Sequence, residues 1–438
     1  MPKPHWSPPS VRRNGTAFIT LLLLGVGSAW GTAPSGDGST PGQGPYVPLP
    51  TDPGLGLGEV VQRATERFPE GNQPQARQSQ AQALKSRSSA FLPANPAIGV
   101  THYNDTLLTG NGNREWEAGM EIPIWRPGQR EARGEYARRT SALANATQGS
   151  IRLRAAGAVR SRLWALGLQR NRVALARREL KTAKALAEKV RRRMELGDLA
   201  RTDLLLARER VLEKETVLEE QQGRLRVLRA DYRRVSGLDR VPETWRESPV
   251  DEPPFPAEHP TLARAEQEVA RLRAKVRWAG KEATANPSLT LGARRERAAD
   301  GTAINGVVAA VHIPIGLSTQ REAKQAPVRM ELARAQSRLD RLRREVTGTR
   351  EEARQGIVTA RRTLRQARKR ERLARHNLKL ARKAFDAGEY DLIDLIKVQD
   401  KFAAARRDRA RRELELHRAI ARFNQAAGVI PWPRSAQS

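Results

Sequence analysis

The chain has 438 residues, enough for two or three ordinary domains or one large elongated one, and 79 Lys and Arg against 48 Asp and Glu give a formal charge of +31. Aromatic residues make up 5% and hydrophobic residues 39%, a composition that suits long helices better than a compact globule with a thick core. The absence of cysteine excludes disulfides, thiolate metal sites, thiol nucleophiles and a lipid anchor on an N-terminal cysteine. Two readings fit the charge: a surface for nucleic acid or anionic membrane, or arginine as the solvated residue of long helix faces.

At the N-terminus, Lys3, Arg12 and Arg13 precede the apolar run Ala17 to Val26, followed by the small residues Gly27, Ser28, Ala29 and Gly31. A positive stretch, an apolar stretch and a small-residue exit are the parts of a secretory signal, expected over 1–31. The run falls short of the ~20 apolar residues of a membrane-spanning helix. Residues 32–56 read as a Pro/Gly-rich leader arm without helix or strand signal.

From there the chain repeats itself. Asn95-Pro96 recurs as Asn286-Pro287, Ile122-Pro123-Ile124 as Ile313-Pro314-Ile315, and Gln129-Arg130-Glu131-Ala132 as Gln320-Arg321-Glu322-Ala323. Gly197 pairs with Gly388, Asp203-Leu204 with Asp394-Leu395, and Gly237 with Gly428, every pair 191 positions apart (286 − 95). A constant offset implies a tandem duplication, placing a first repeat at 57–237, a Pro-rich connector at 238–259, a second repeat at 260–428 and a tail at 429–438.

Each copy opens with a helical stretch, 57–90 and then 260–284, stopped by Asn-Pro. Strand-like segments follow, Ala97–Tyr103 with Glu115–Ile124 and Ser288–Ala293 with Ile304–Ile315, around polar turns that include residues 294–302 in copy two. Trp116, Ala118, Met120, Ile122 and Ile124 fall on one face, with Glu115, Glu117, Gly119 and Glu121 on the other. Such a strand serves a membrane barrel with a wet lumen or an ordinary half-buried hairpin. Long helices come next, Gln129–Glu195 and Gln320–Asp386, the second with Pro327 near its start. After Gly197 and Gly388 a shorter helix runs to Gly237 and Gly428. Leu204, Val211, Leu218, Leu225 and Tyr232 form a heptad seam there, matched in copy two by Leu395, Phe402, Arg409, Leu416 and Phe423.

Helix, Asn-Pro, strand hairpin ending in Ile-Pro-Ile, very long helix, Gly turn and shorter helix, all doubled over about residues 57 to 430, resembles the TolC-type outer-membrane efflux family (outer membrane factors). The most specific residues are Leu196-Gly197-Asp198 with Asp203-Leu204-Leu205, and Ala387-Gly388-Glu389 with Asp394-Leu395-Ile396. The resemblance implies a mainly α fold with a small β part: duplicated coiled-coil hairpins, and β-hairpins that build a shared transmembrane β-barrel and a periplasmic α-barrel in a homotrimer. It implies an outer-membrane exit duct, not an enzyme and without cofactor. Its partners would be other copies of itself, a periplasmic adaptor protein, an inner-membrane pump driven by protons or ATP, and outer-membrane lipid, with no nucleic acid. By position, Leu196, Gly197, Ala387 and Gly388 would be the adaptor-docking tip, and Asp203 and Asp394 would line the periplasmic aperture. Lys397 stands where the family often has another acid, which with the +31 charge points away from a simple cation-selective aperture.

The six histidines (His5, His102, His259, His312, His376 and His417) are scattered, and no phosphate loop or nucleophile elbow occurs, so neither a metal site nor a catalytic constellation is expected. Two alternatives share parts of the pattern. The exit duct of a type I protein or peptide secretion system would use the same fold. A basic coiled-coil scaffold or nucleic-acid-associated protein would explain the charge and heptads but not the export signal or the twin hairpins.

Overall fold

The computed structural model describes residues 49–105, 112–250, 259–298 and 300–431. The expected signal over 1–31, most of the leader arm, part of the connector and residues 432–438 of the tail lie outside them. The elements are β1 (Thr51–Asp52), α1 (Leu57–Glu66), α2 (Asn72–Ser89), β2 (Ala97–Asn104), β3 (Arg114–Pro123), α3 (Gln129–Glu195), α4 (Arg201–Ser236), β4 (Val241–Pro242), α5 (Pro260–Lys281), β5 (Ser288–Arg297), β6 (Ala303–His312), α6 (Ser318–Asp386) and α7 (Leu392–Ala426). At ~1.5 Å per residue, α3 and α6 each extend about 100 Å.

Strand order and helix order coincide. One antiparallel sheet runs β2-β3-β5-β6. Beneath it α2 packs on α3, α3 on α5 and α5 on α6; farther along, α4 packs on α3, α3 on α7 and α7 on α6. The described fold is therefore a layer of four columns: β2, α2 and α4; β3 and α3; β5, α5 and α7; β6 and α6. The inner column of α3 buries 25 of its 67 residues. The flanking α6 buries 10 of 69, as expected of a helix with a neighbour on one side only.

Four local readings differ from the sequence expectation. The stretch 57–90 is two helices, because Pro69 and Gly71 break it at 67–71. β5 continues through Arg294, Arg295, Glu296 and Arg297, expected as a turn, because β3 and β6 supply paired backbone on both sides of it. β6 stops at His312, so Ile313 and Ile315 lie beyond the strand. The leader arm also contributes β1, which pairs in parallel with β4 of the connector. Arg160 ties that connector down with a paired contact to Glu247 at 2.9 and 2.6 Å, and donates to Gln425 and the Val429 carbonyl.

Gly119 and Gly292 face each other across β3 and β5, the strand pair that joins the two copies. A Cβ on Gly292 would lie 2.5 Å from the Ala118 carbonyl oxygen and 2.8 Å from the Gly119 Cα, backbone atoms that cannot yield. Glycine is what allows the two strands to approach at the centre of the sheet.

The second heptad seam carries a charge where the first does not. Arg409 donates to Glu371 at 3.1 Å and to Glu413 at 2.7 Å, and Glu371 also accepts from Arg375. Leu180 and Leu218 occupy the matching positions of copy one. Glu371 is buried and accepts from both Arg375 and Arg409, so its removal takes away two charged hydrogen bonds and leaves Arg409 to Glu413 alone, whereas an apolar pair needs no compensation. Glu371→Ala is expected to cost about 2 kcal/mol in chemical denaturation. The double change Glu371→Leu with Arg409→Leu, restoring the copy-one pair, is expected to leave stability unchanged or higher.

Candidate functional site: helix turns and free flanks

The two Gly turns share one geometry. Gly197 has φ +86° and Gly388 φ +82°. The Asp198 amide donates to the Arg193 carbonyl at 2.8 Å and Gly197 to Met194 at 3.1 Å; Glu389 donates to Ala384 at 2.9 Å and Gly388 to Phe385 at 3.2 Å. This is the two-bond helix stop that a left-handed residue makes possible. Leu196, Gly197, Ala387 and Gly388 are all exposed, with Leu196 at 78%. An apolar cluster drawn from all four tip helices, with Val190, Leu204, Phe385, Leu392 and Leu395 at its centre, brings the two turns to the same end of the layer. Arg193 closes the junction by donating to the Phe385 carbonyl at 3.0 Å while its guanidinium lies 5.1 Å from the Phe385 ring centroid.

The acids just beyond the turns are engaged locally. Asp203 accepts from the Ala200 amide at 3.2 Å, capping the start of α4. Asp394 accepts from Lys397 at 3.0 Å, one helical turn on. Farther along, Asp400 and Arg210 bridge the two hairpins at 2.6 and 2.9 Å; burial pushes the Asp400 carboxyl up, but Arg210 holds it below the usual carboxylate range.

At the opposite end the sheet is exposed on both faces. The register puts Ile98, Val100, Trp116, Met120, Leu291 and Val307 on one face, where Val307 is 88% and Ile98 77% exposed. The other face carries Glu115, Glu117, Glu121, Arg294 and Glu296, with Arg294 paired to Glu115 at 2.8 Å. β6 departs from this alternation, placing Ile304, Val308 and Ala310 on the polar side. β2 and β6 each have a partner on one side only, leaving a row of backbone donors and acceptors unpaired at either edge.

The flanks continue down the helices. Leu205 and Leu212 are exposed on α4, and Leu373 and Leu380 on α6, each pair at heptad spacing. These residues escape a reading of the sequence because exposed and buried leucines look alike there. The signal was the comparison of copies: Leu373 and Leu380 match Thr182 and Lys189 of the inner helix.

Among the described residues no helix is long and apolar enough to cross a membrane, and no three potential metal ligands cluster. A Cβ on Gly388 meets open space, so its replacement tests backbone strain alone. Gly388→Ala is expected to destabilise by about 1 kcal/mol, and Gly388→Asn by less, read as shifts in denaturation midpoint.

No protein-family model and no curated protein sequence matches the chain. Solved structures do. It superposes on the CusC channel with a TM-score of 0.67 at 14% identity, covering 89% of this chain and 99% of that one. The outer membrane protein VceC of Vibrio cholerae gives 0.64 at 13%, covering 85% and 96%, and the open-state MtrE outer membrane channel of Neisseria gonorrhoeae 0.65 at 15%, covering 87% and 91%. The chain has the fold of the TolC-type outer-membrane channels, mainly helical with a small antiparallel sheet.

Proposed function

We propose that the chain is the outer-membrane exit duct of a tripartite efflux system, conducting passively what an inner-membrane pump delivers through a periplasmic adaptor. The observation that carries this is the pair of unpartnered flanks. Four strands cannot close a barrel, and open edges are not tolerated in hydrocarbon, where unpaired backbone groups cost several kcal/mol each. Strands of eight and ten residues suit a tilted bilayer crossing, and the apolar face of the sheet suits lipid while the face with Glu115 and Glu121 suits a wet lumen. Joining β6 and α6 of one copy to β2, α2 and α4 of the next removes both edges at once. A homotrimer arranged in this way is a barrel of strands continued by a barrel of helices.

In that assembly the Gly turns stand at the periplasmic end, and the exposed Leu196, Gly197, Ala387 and Gly388 are the docking residues for the adaptor. Asp203, Asp394 and Lys397 belong to the aperture beside them. Asp203 spends one carboxylate oxygen on the Ala200 amide and Lys397 offsets the charge of Asp394, in keeping with an aperture that is not a simple cation filter.

Two measurements test the reading. The mature protein is expected in the outer-membrane fraction and, purified, to give discrete conductance steps in planar bilayers. A chain released by high salt, silent in bilayers and retained on DNA in a salt-sensitive way would instead be a basic scaffold. Leu196→Asp together with Ala387→Asp is expected to leave conductance intact while reducing export by the assembled system at least tenfold, measured as accumulation of a pump substrate in cells.

A further inference from the structure

Besides the seam, the two copies differ in charge near the turns. In copy one, Glu188 accepts from Arg191 and Arg192, which hold its carboxyl down at about 2, and Glu215 pairs with Lys184 at 2.7 Å. Copy two puts Lys379, Arg382 and Lys383 where that trio stands, and Arg406 where Glu215 stands. Where copy one has a neutralising acid, copy two has a cation. Lys379, Arg382 and Lys383 occupy positions i, i+3 and i+4 of α6, where like charges repel and destabilise a helix.

These side chains line a cleft of about 650 Å³ formed by α3, α4, α6 and α7. Its apolar surface comes from Leu175, Ala183, Leu378, Phe402 and Ala403, and its cationic wall from Arg178, Lys379, Arg382, Lys383 and Arg406. The acids that share the cleft are already engaged: Glu179 by Arg407 at 2.6 Å, Glu371 by Arg375 and Arg409, Asp386 by Lys189, and Asp400 by Arg210. None of the five wall cations has a carboxylate at ion-pair distance among the described residues. A volume of this order suits a small molecule.

We propose that this cleft binds amphiphilic organic anions, in which an aromatic or aliphatic body carries a sulfonate, carboxylate or phosphate. The body lies on Leu378 and Phe402, and the anion supplies the negative charge that copy two lacks. Leu175 stands roughly 70 Å along α3 from its start below the sheet, at ~1.5 Å per residue, so the occupant is a soluble anion and not a bilayer lipid. The anion preference rests on one protomer's geometry, while the exclusion of lipid rests on the duct reading, whose own failure would show as a chain that does not enter nanodiscs.

The test uses the full-length mature assembly in nanodiscs and two fluorescent probes that differ by one group: anilinonaphthalene sulfonate, and phenylnaphthylamine, which has the same body without the sulfonate. Saturable sulfonate binding is expected, at least tenfold tighter than that of the neutral probe after subtraction of empty nanodiscs. Lys379→Glu with Arg406→Glu reinstates the copy-one residues. That variant is expected to bind the sulfonate at least tenfold more weakly, with a melting temperature equal to or above that of the wild type. Lys369→Glu, on α6 outside the cleft, is expected to change binding less than twofold. Equal affinity for the two probes, or undiminished sulfonate binding in the stably folded double variant, overturns the proposal. If the double variant is not assembled, Lys379→Gln with Arg406→Gln replaces it, and undiminished binding there overturns the proposal equally.

Discussion

Backbone groups at a strand edge must find partners, and this chain leaves two such edges open. That constraint organises the described structure, because helix order repeats strand order and the flank exposed at β2 and β6 runs on into α4 and α6. A lone copy has polar backbone exposed at one end and heptad-spaced leucines exposed at the other. In the proposed trimer the same neighbour satisfies both, and the large share of exposed residues on α6 is the face that neighbour covers.

Duplication supplies the columns and divergence supplies the differences between them. Two copies of one unit give a layer in which α3 and α6 run the full length while shorter helices fill in above and below. The copies have since parted in chemistry. Copy one has Leu180 and Leu218 at seam positions and acid-base trios on its surface, whereas copy two has Glu371 with Arg409 in the seam and a cationic wall beside it. A buried ion pair contributes little net stability against an apolar pair, but it penalises any register in which its members do not meet. Many of the 79 Lys and Arg belong to the solvated, paired surface of long helices, as in Glu188 with Arg191 and Arg192. At the cleft in copy two they do not.

The architecture was legible because the landmarks were doubled. Gln129–Glu195 appears with the expected bounds, since no breaker interrupts it and Gly197 ends it. The missed elements were those set by neighbours. Arg294 to Arg297 carry the charge of a turn, yet pair on both sides as strand. Thr51 and Asp52 are a strand only because Val241 and Pro242 lie beside them. The turn glycines announced their positive φ, while the local capping by Asp203 and the pairing of Asp394 with Lys397 needed coordinates. The cleft was the least legible feature, because its cations become informative only once their missing partners can be counted in space.

A shared barrel requires one copy's β6 edge to meet the next copy's β2 edge. The absence of native cysteine makes that contact directly measurable. Thr101→Cys and Gly306→Cys put one thiol on each edge strand, both on the polar face of the sheet. Treatment of outer-membrane vesicles with a short bis-maleimide is expected to give a ladder ending at a covalent trimer, with neither single variant passing beyond a dimer. A double variant that stays monomeric under crosslinking while folded in the membrane would contradict the shared barrel, and with it the duct.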